Sequence, residues 1–508
     1  MSDLSSSYPQ NLAYSISELN NFSKQTIKIL SDRMSQSANA GDLIKFKLPS
    51  NTLCDMRTFS IFGQATVVDS AGATTSKGHL PRYSASLIEQ VNIYINNTQV
   101  SNINSYNLLY NMLADYEIGS DNTNKRFLEI LDPSIVYSAD TTKNNYIVPA
   151  RATAFGTAAD TSRVFVINNW CNFINNASTL VWDTNDLGDV VIEVRLAPGG
   201  IIWGSAQTNS GGAMPITTFT YSISNIRATV SRISFNSSEY YELKKTKLLN
   251  DGLNIGFQDF IYAQGTQQTN GNGTITWNYN VNANSLDYIL ATFRKSSYAT
   301  NNYLLLAYSA NYGTTNMENG TGVIAAAGSY NGAASSVPNT QKNLTFAEAL
   351  SMPHIAYTDG SVAGKSDGDL FNNSAYFQRY APALTGSQFQ INGVMIDTYQ
   401  KPPEEIYNEA LINLGMSHLN VNGGVHPGLN NLYAFLRYYF VHVCSLQNIA
   451  NDGKFWRSGL NGQNSSINIQ YSATFNAPTA NTDTVIPIFF NAMTKIITIN
   501  AGRLINVL

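Results

Sequence analysis

Short runs in which apolar residues recur at every second position constrain this chain more than any other feature. Ile44, Phe46 and Leu48 alternate with Lys45 and Lys47, and Pro49 ends the run. Val190, Ile192, Val194 and Leu196 share one face, with Glu193 and Arg195 on the other. Ile275, Trp277, Tyr279 and Val281 repeat the pattern far downstream, as do Ile467, Ile469, Tyr471, Ala473 and Phe475. A period of two puts one face of a strand in a core and the other in water. Helices do not alternate with these strands, so a parallel α/β sheet is excluded. About eight such runs lie on each side of a single break, which predicts an all-β chain built from two tandem eight-stranded jelly-roll barrels.

The break is SSEYYELKKTKLLND, residues 237–251, with Leu243, Leu248 and Leu249 at helical spacing and Gly252 after them. It is read as a linker helix between a first jelly roll, 42–236, and a second, 252–508. Residues 11–34 are the other exception. Leu12, Ile16, Leu19, Phe22, Ile27, Leu30 and Met34 recur mostly at three- and four-residue intervals. They predict an amphipathic helix, read either as an arm outside the first core or as a helix packed on it. The arm reading sets off residues 1–41 and makes them contribute to assembly more than to barrel stability. Pro403, Glu404 and Glu405 followed by Ile406, Ala410, Leu411 and Leu414 predict a second helix, because proline and acids suit a first turn. Asn96–Asn97 predicts a turn, since asparagine tolerates left-handed φ. Residues 310–375, rich in Gly, Ala, Ser and Asn, are too long for a connection. They are read as a long insertion in the second jelly roll, either an outward tower or a surface loop, with a short helix at Leu344–Leu350.

The chain has 508 residues, 43% of them hydrophobic, which suffices for two large cores and excludes global disorder. Only 13% are charged, with 30 Lys+Arg against 34 Asp+Glu. Without clustered basic residues, direct sequence-specific nucleic acid binding is not expected. No apolar run reaches the length of a transmembrane segment, and MSDLSSSYPQ lacks the apolar stretch of a secretory signal. Cys54, Cys171 and Cys444 are too scattered for a disulfide framework and are read as buried free thiols of a protein made in a reducing compartment.

Motifs for chemistry all lack their context. Gly364-Lys365-Ser366-Asp367-Gly368 fits the letters of a nucleophile elbow but has no flanking strand and helix. Gly360–Ser366 is one residue short of a phosphate loop, whose cradle depends on loop length. Asp183–Glu193 has the acids of a calcium loop, with Leu187 at a ligand position and Glu193 one place early. His418 and His426 lack a third ligand, and His79, His354 and His442 have no evident partner. Glu404 and Glu405 are adjacent on a helix and point apart, unlike a glycosidase pair. Catalytic, cofactor-binding and metal residues are therefore all assigned as none. The sequons, Asn236, Asn272 and Asn343 among them, are as frequent as so much Asn, Ser and Thr gives by chance.

The phrases Leu80-Pro81-Arg82-Tyr83-Ser84-Ala85-Ser86-Leu87-Ile88-Glu89, Val91–Asn96 and Tyr106–Tyr110 follow Leu48-Pro49-Ser50 and Asp55-Met56-Arg57. In the second half stand Phe455-Trp456-Arg457-Ser458-Gly459-Leu460 and Ala501-Gly502-Arg503. In this order they resemble the double-jelly-roll major capsid proteins of polinton-like viruses, polintons and virophages, over about residues 42–508. The resemblance implies a virion shell protein, a homotrimer with pseudo-hexameric outline, without enzymatic activity. Its partners would be itself, neighbouring capsomers, and penton and minor capsid proteins. Two other readings stay open on the residues alone: a carbohydrate-binding or adhesin-like β-sandwich using the tyrosines, and a jelly-roll glycosidase.

Overall fold

The computed structural model describes residues 22–69, 76–117, 129, 131, 162–206, 219–235, 246, 252–296, 375–381, 383–414, 432–446, 459–462, 466–476, 484–500 and 504–507. Eight main strands lie in the first half: β1 (Phe22–Leu30), β2 (Leu43–Lys47), β3 (Leu53–Asp69), β4 (Ile88–Ile95), β5 (Thr98–Ile103), β6 (Ser162–Ile167), β7 (Val190–Leu196) and β8 (Phe219–Phe235). Eight lie in the second: β9 (Leu253–Gln264), β10 (Gly273–Val281), β11 (Ser285–Lys295), β12 (Leu384–Ile391), β13 (Val394–Met395), β14 (His442–Ser445), β15 (Ile467–Phe475) and β16 (Thr484–Asn500).

The first half forms antiparallel sheets of order β1-β8-β3-β6 and β2-β7-β4-β5; the second forms β9-β16-β11-β14 and β10-β15-β12-β13. Adding eight to each strand number converts one half into the other. This is a double jelly roll, and each of these four sheets is built from strands of one half. The register shows why the alternation is so regular. Ile192 of β7 lies between Phe46 of β2 and Ile93 of β4, and all three are fully buried. One residue on, Glu193 faces outward and pairs with Lys45. In the second barrel Tyr471 of β15 holds the corresponding place, between Trp277 of β10 and Phe389 of β12. Each fully buried side chain of this size contributes about 1.5–3 kcal/mol by burial.

The turns repeat as well. Asn96 and Asn97 take φ of 47° and 64° between β4 and β5, and Asn392 and Gly393 take 51° and 79° between β12 and β13. Asn96 Oδ1 accepts from Asp189 N at 3.0 Å, and Asn392 Oδ1 accepts from Asn468 N at 2.8 Å. Each turn is thereby tied to the seventh strand of its barrel or the residue just before it.

The helical reading of 11–34 is corrected over the described part. Residues 22–30 are β1, paired along their whole length with β8 from Phe22↔Phe235 to Leu30↔Arg227. The first barrel thus starts at Phe22, not at residue 42, and residues 22–41 are not an arm. Among the residues of this edge strand whose burial is described, Ile27 and Ile29 turn inward, so its alternation is too short to compete with an accidental helical spacing. Leu30, assigned to the apolar helical face, is 55% exposed. The remainder of that reading, residues 1–21, lies outside the described residues. So do the linker helix 237–251, apart from Thr246, and the tower 310–375, apart from Ala375 at its end.

Helices of the described residues sit in the connections: α1 (Tyr106–Glu117), α2 (Phe173–Asn176), the single turn Thr184–Leu187, α3 (Pro403–Leu414) and α4 (Leu432–Tyr438). α3 follows expectation, with Glu404 and Glu405 in its first turn and Ile406, Ala410 and Leu414 buried. Among the described residues no helix is long and apolar enough to cross a membrane.

Candidate functional site

The residues weighed for chemistry do not converge. Asp183 caps the helical turn Thr184–Leu187, its Oδ1 accepting from Asn185 N at 2.9 Å. Asp189 pairs with Lys47 at 2.8 Å and Glu193 with Lys45. The acids of the calcium-like stretch are therefore held by a cap and by neighbouring strands. Among the described residues no group of three or more His, Cys, Asp or Glu could hold a metal. Glu405 accepts from Tyr399 OH at 2.5 Å. His79 lies on the short strand Ser76–His79. His354, His418, His426, Ser366 and the glycine-rich stretch 360–368 lie outside the described residues. His442 is fully buried in the second core, with Ser387 Oγ 2.8 Å from its Nδ1. Burial, with Lys401 adding to it, pushes its pKa down to about 3, so the ring is neutral. Cys54 and Cys444 are buried free thiols, and burial pushes Cys444 up to about 12.

What the structure brings together is a junction between the barrels. α1 connects β5 to β6 and is anchored by Asn111, whose Nδ2 donates to Ser86 Oγ at 2.7 Å. Near its end stands Asp115. Arg82 Nη1 donates to Asp115 Oδ1 at 3.0 Å, and Tyr83 OH donates to the same oxygen at 2.9 Å. Arg379 Nη2, from the second half, donates to Oδ2 at 2.8 Å. The three ionic side chains are 0%, 1% and 0% exposed for Arg82, Asp115 and Arg379. The next residue, Tyr116, donates through its OH to Tyr439 O at 3.0 Å. The Arg379 guanidinium lies 5.6 Å from the Tyr439 ring centroid.

Burial opposes the Arg82 charge, but Tyr439, Tyr83 and Asp115 more than offset it, so Arg82 is held above the ordinary arginine value. Burial and Asp115 push the Tyr83 hydroxyl well up, so it stays protonated and donates. An ion group this deep is poor evidence of net stabilisation, yet removing one partner strands the others in a low dielectric. Its geometry therefore fixes how the barrels meet.

A second contact lies along β9. Phe173 of α2 stacks on Trp182 at 4.4 Å and meets Phe257 edge-on at 4.6 Å. Ala177 bridges to Phe257, and Ser178 N donates to Gly256 O at 2.7 Å, extending the ladder across the halves. On β5, Ser101 donates to Asp259 Oδ1 at 2.8 Å, while Lys495 holds Oδ2 at 2.7 Å. Between these contacts lies a cavity of ≈ 360 Å³ lined by Trp170, Cys171, Gln258, Phe260 and Tyr288 among others.

Sequence reasoning passed over Arg379 and Asp115. A signal for the arginines exists as an internal repeat ahead of the fourth strand of each barrel. Arg82-Tyr83-Ser84-Ala85-Ser86-Leu87 and Arg379-Tyr380-Ala381-Pro382-Ala383-Leu384 match in the pattern Arg-Tyr-small-x-small-Leu. Nothing local marks Asp115, which reads as one acid on a helix.

No family model matches the chain, and no curated protein matches it. Solved structures do. The PBCV-1 VP54 structure fitted into a cryo-EM reconstruction of the virophage Sputnik matches at 12% identity, covering 96% of this chain and 96% of that chain, with a TM-score of 0.53. A quasi-atomic model of the PBCV-1 virus capsid matches at 12% identity, 96% and 96% coverage and a TM-score of 0.52. The cryo-EM structure of the Sputnik virophage matches at 11% identity, 96% and 88% coverage and a TM-score of 0.52. These neighbours are double-jelly-roll major capsid proteins, structural proteins and not enzymes, and the chain has their fold.

Proposed function

We propose that this protein is the major capsid protein of a DNA virus, trimerising into pseudo-hexameric capsomers that build an icosahedral shell. The observation that carries the reading is one topology occurring twice in one chain, with the two barrels fastened by a buried junction. A rigid pair of like barrels is a building unit: three copies arranged about a threefold axis present six similar barrels. The match over 96% of the chain to capsid proteins supports the same role. Of the described candidates, Asp183 caps a helical turn, Asp189 and Glu193 pair with lysines of a neighbouring strand, and His442 packs in the second core, which suits a structural role. Its partners are further copies of itself, with penton and minor capsid proteins at special positions of the shell. It resides in the virion, and buried thiols at Cys54 and Cys444 suit synthesis in a reducing compartment.

The glycan-binding reading is less well supported. Sugar stacking needs exposed aromatic faces, and among the described residues the exposed large hydrophobics are aliphatic or Met except Tyr399. Light scattering and negative-stain microscopy of the purified protein test the proposal. Three-chain particles of six-lobed outline, or shells, are expected. A stable monomer that binds glycans would sink it.

A further inference from the structure

We propose that the cavity between the barrels is a binding site for a small uncharged ring compound whose rim carries amide or hydroxyl groups, and that its occupant fastens the two barrels together. The inference is independent of the capsid reading and holds whether or not the chain assembles.

Both halves build the walls. The first contributes Leu113 of α1, the loop Asn169–Cys171 after β6, and Asn176 of α2; the second contributes residues of β9, β11, α3 and β14. The volume of ≈ 360 Å³ far exceeds the gaps of a close-packed interior and lies in the range of small-molecule sites. The walls are set before any ligand arrives. Trp170 Nε1 donates to Phe59 O at 3.2 Å, and Cys171 N donates to Tyr106 OH at 3.2 Å, which pins the loop to β3 and to α1. Phe260 of β9 meets Tyr288 of β11 edge-on at 6.0 Å. A site held by its own packing gives up little freedom when a ligand enters.

The chemistry of the lining sets the class of ligand. Among the described residues that form it there is no Asp, Glu, Lys, Arg or His. An ion entering would shed water and meet no opposite charge, so the occupant is neutral. Trp170, Phe260 and Tyr288 place three aromatic rings in the wall, surfaces that suit another ring. The amides set the rim. Gln258 Nε2 donates to Asp287 Oδ2 at 3.1 Å, which leaves its Oε1 to accept from a ligand. Asn413 Nδ2 donates to Glu409 O at 2.9 Å, which leaves its Oδ1 likewise. Acceptors fixed in this way call for N–H or O–H groups on the rim of the guest, and nucleosides and monosaccharides both supply them. A molecule that touches both halves binds only the joined form, so it stabilises that form by mass action.

The experiment uses the full chain and the cavity's own thiol, since Cys171 lines it while Cys54 and Cys444 are buried. Adenosine, cytidine and glucose are titrated separately against the rate of Cys171 alkylation by iodoacetamide, followed by peptide mass spectrometry, and against the melting temperature. At least one of them is expected to slow alkylation by about fivefold or more at saturation and to raise the melting temperature with concentration. Which of them does so tells a nucleoside from a sugar. The phosphorylated form of the binder, adenosine or cytidine monophosphate or glucose 6-phosphate, should bind about tenfold more weakly or worse, because nothing in the lining balances its charge. Gln258→Leu and Asn413→Leu, made separately, should each weaken binding by about tenfold with an unchanged circular dichroism spectrum. Asn413 is exposed, so that variant serves even where Gln258→Leu fails to fold. Protection absent with all three compounds, equal for a compound and its phosphate, or unchanged in Asn413→Leu and in a folded Gln258→Leu would overturn the site.

Discussion

Asp115 holds the junction's charge balance. It is the one carboxylate shared by Arg82 and Arg379, and its own tyrosine donor, Tyr83, is buried as well. Asp115→Asn keeps the shape and removes the charge, leaving two buried guanidinium groups facing an amide. A cost of about 3–5 kcal/mol is expected, read from the urea midpoint at constant slope. Replacing Arg82, Asp115 and Arg379 together by apolar residues of similar volume should cost less than that single change. His442 gives a pH-dependent test. Its pKa falls from 6.5 to about 3 on folding, so between these values the unfolded chain holds a proton the folded one rejects. Stability therefore carries the full contribution above pH 6.5 and loses it progressively as pH falls towards 3. His442→Gln cannot titrate, and its stability should fall less over that window. An unchanged slope would mean other groups dominate the acid limb.

At the scale of elements, β1 is the strand whose role changed most between sequence and structure. It pairs with β8 over its full length and is tied across the sheet by Lys24, which reaches Asp55 on β3 at 2.9 Å. Deleting residues 1–30 should lower the melting temperature of the soluble protein and promote aggregation through the bared edge of β8. The Asp55 carboxyl adds an acid dependence. Hydrogen bonds from Arg57 and then Lys24, opposed by burial, hold its pKa below the ordinary value. The pairing is complete above the ordinary aspartate pKa and lost as pH falls through the lowered one. The central strands were legible because both neighbours force a strict alternation on them, as at Ile192 and Tyr471. Edge strands such as β1, and the two-residue β13, carry too few inward residues for periodicity to register. The helix α3 was legible through its proline and acids. α1 was not, because its polar residues Asn107, Asn111 and Asp115 are all buried against the junction, which blurs its amphipathic pattern.

For the molecule as a whole, separate sheets do not make separable barrels. The named strands pair within one half or the other, apart from the bridge of Ala177 to Phe257 on β9. Of the contacts that make it one object, the sequence marks only the two arginines, through the repeat at Arg82 and Arg379, while Asp115, distant from both, reads as an ordinary helical acid. The second half expressed alone, residues 252–508, would expose Phe257, Phe260 and the buried Arg379. Low soluble yield and strong binding of a hydrophobic dye are expected, with recovery when the first half is co-expressed. A monomeric, soluble second half with native melting behaviour would show the junction to be dispensable.

The strand order also sets a schedule for synthesis. In each barrel the eighth strand lies inside its sheet, between the first and third, so the first strand waits for the last. Phe22 finds its partner only when Phe235 has been made, and Leu253 only when Ile499 has. At about 5–20 residues per second, each opening strand stays unpaired on the ribosome for roughly ten seconds or more. During that time its hydrogen-bonding groups are free to pair with nascent copies on neighbouring ribosomes. Anything that holds the first strand until its eighth arrives shortens that exposure.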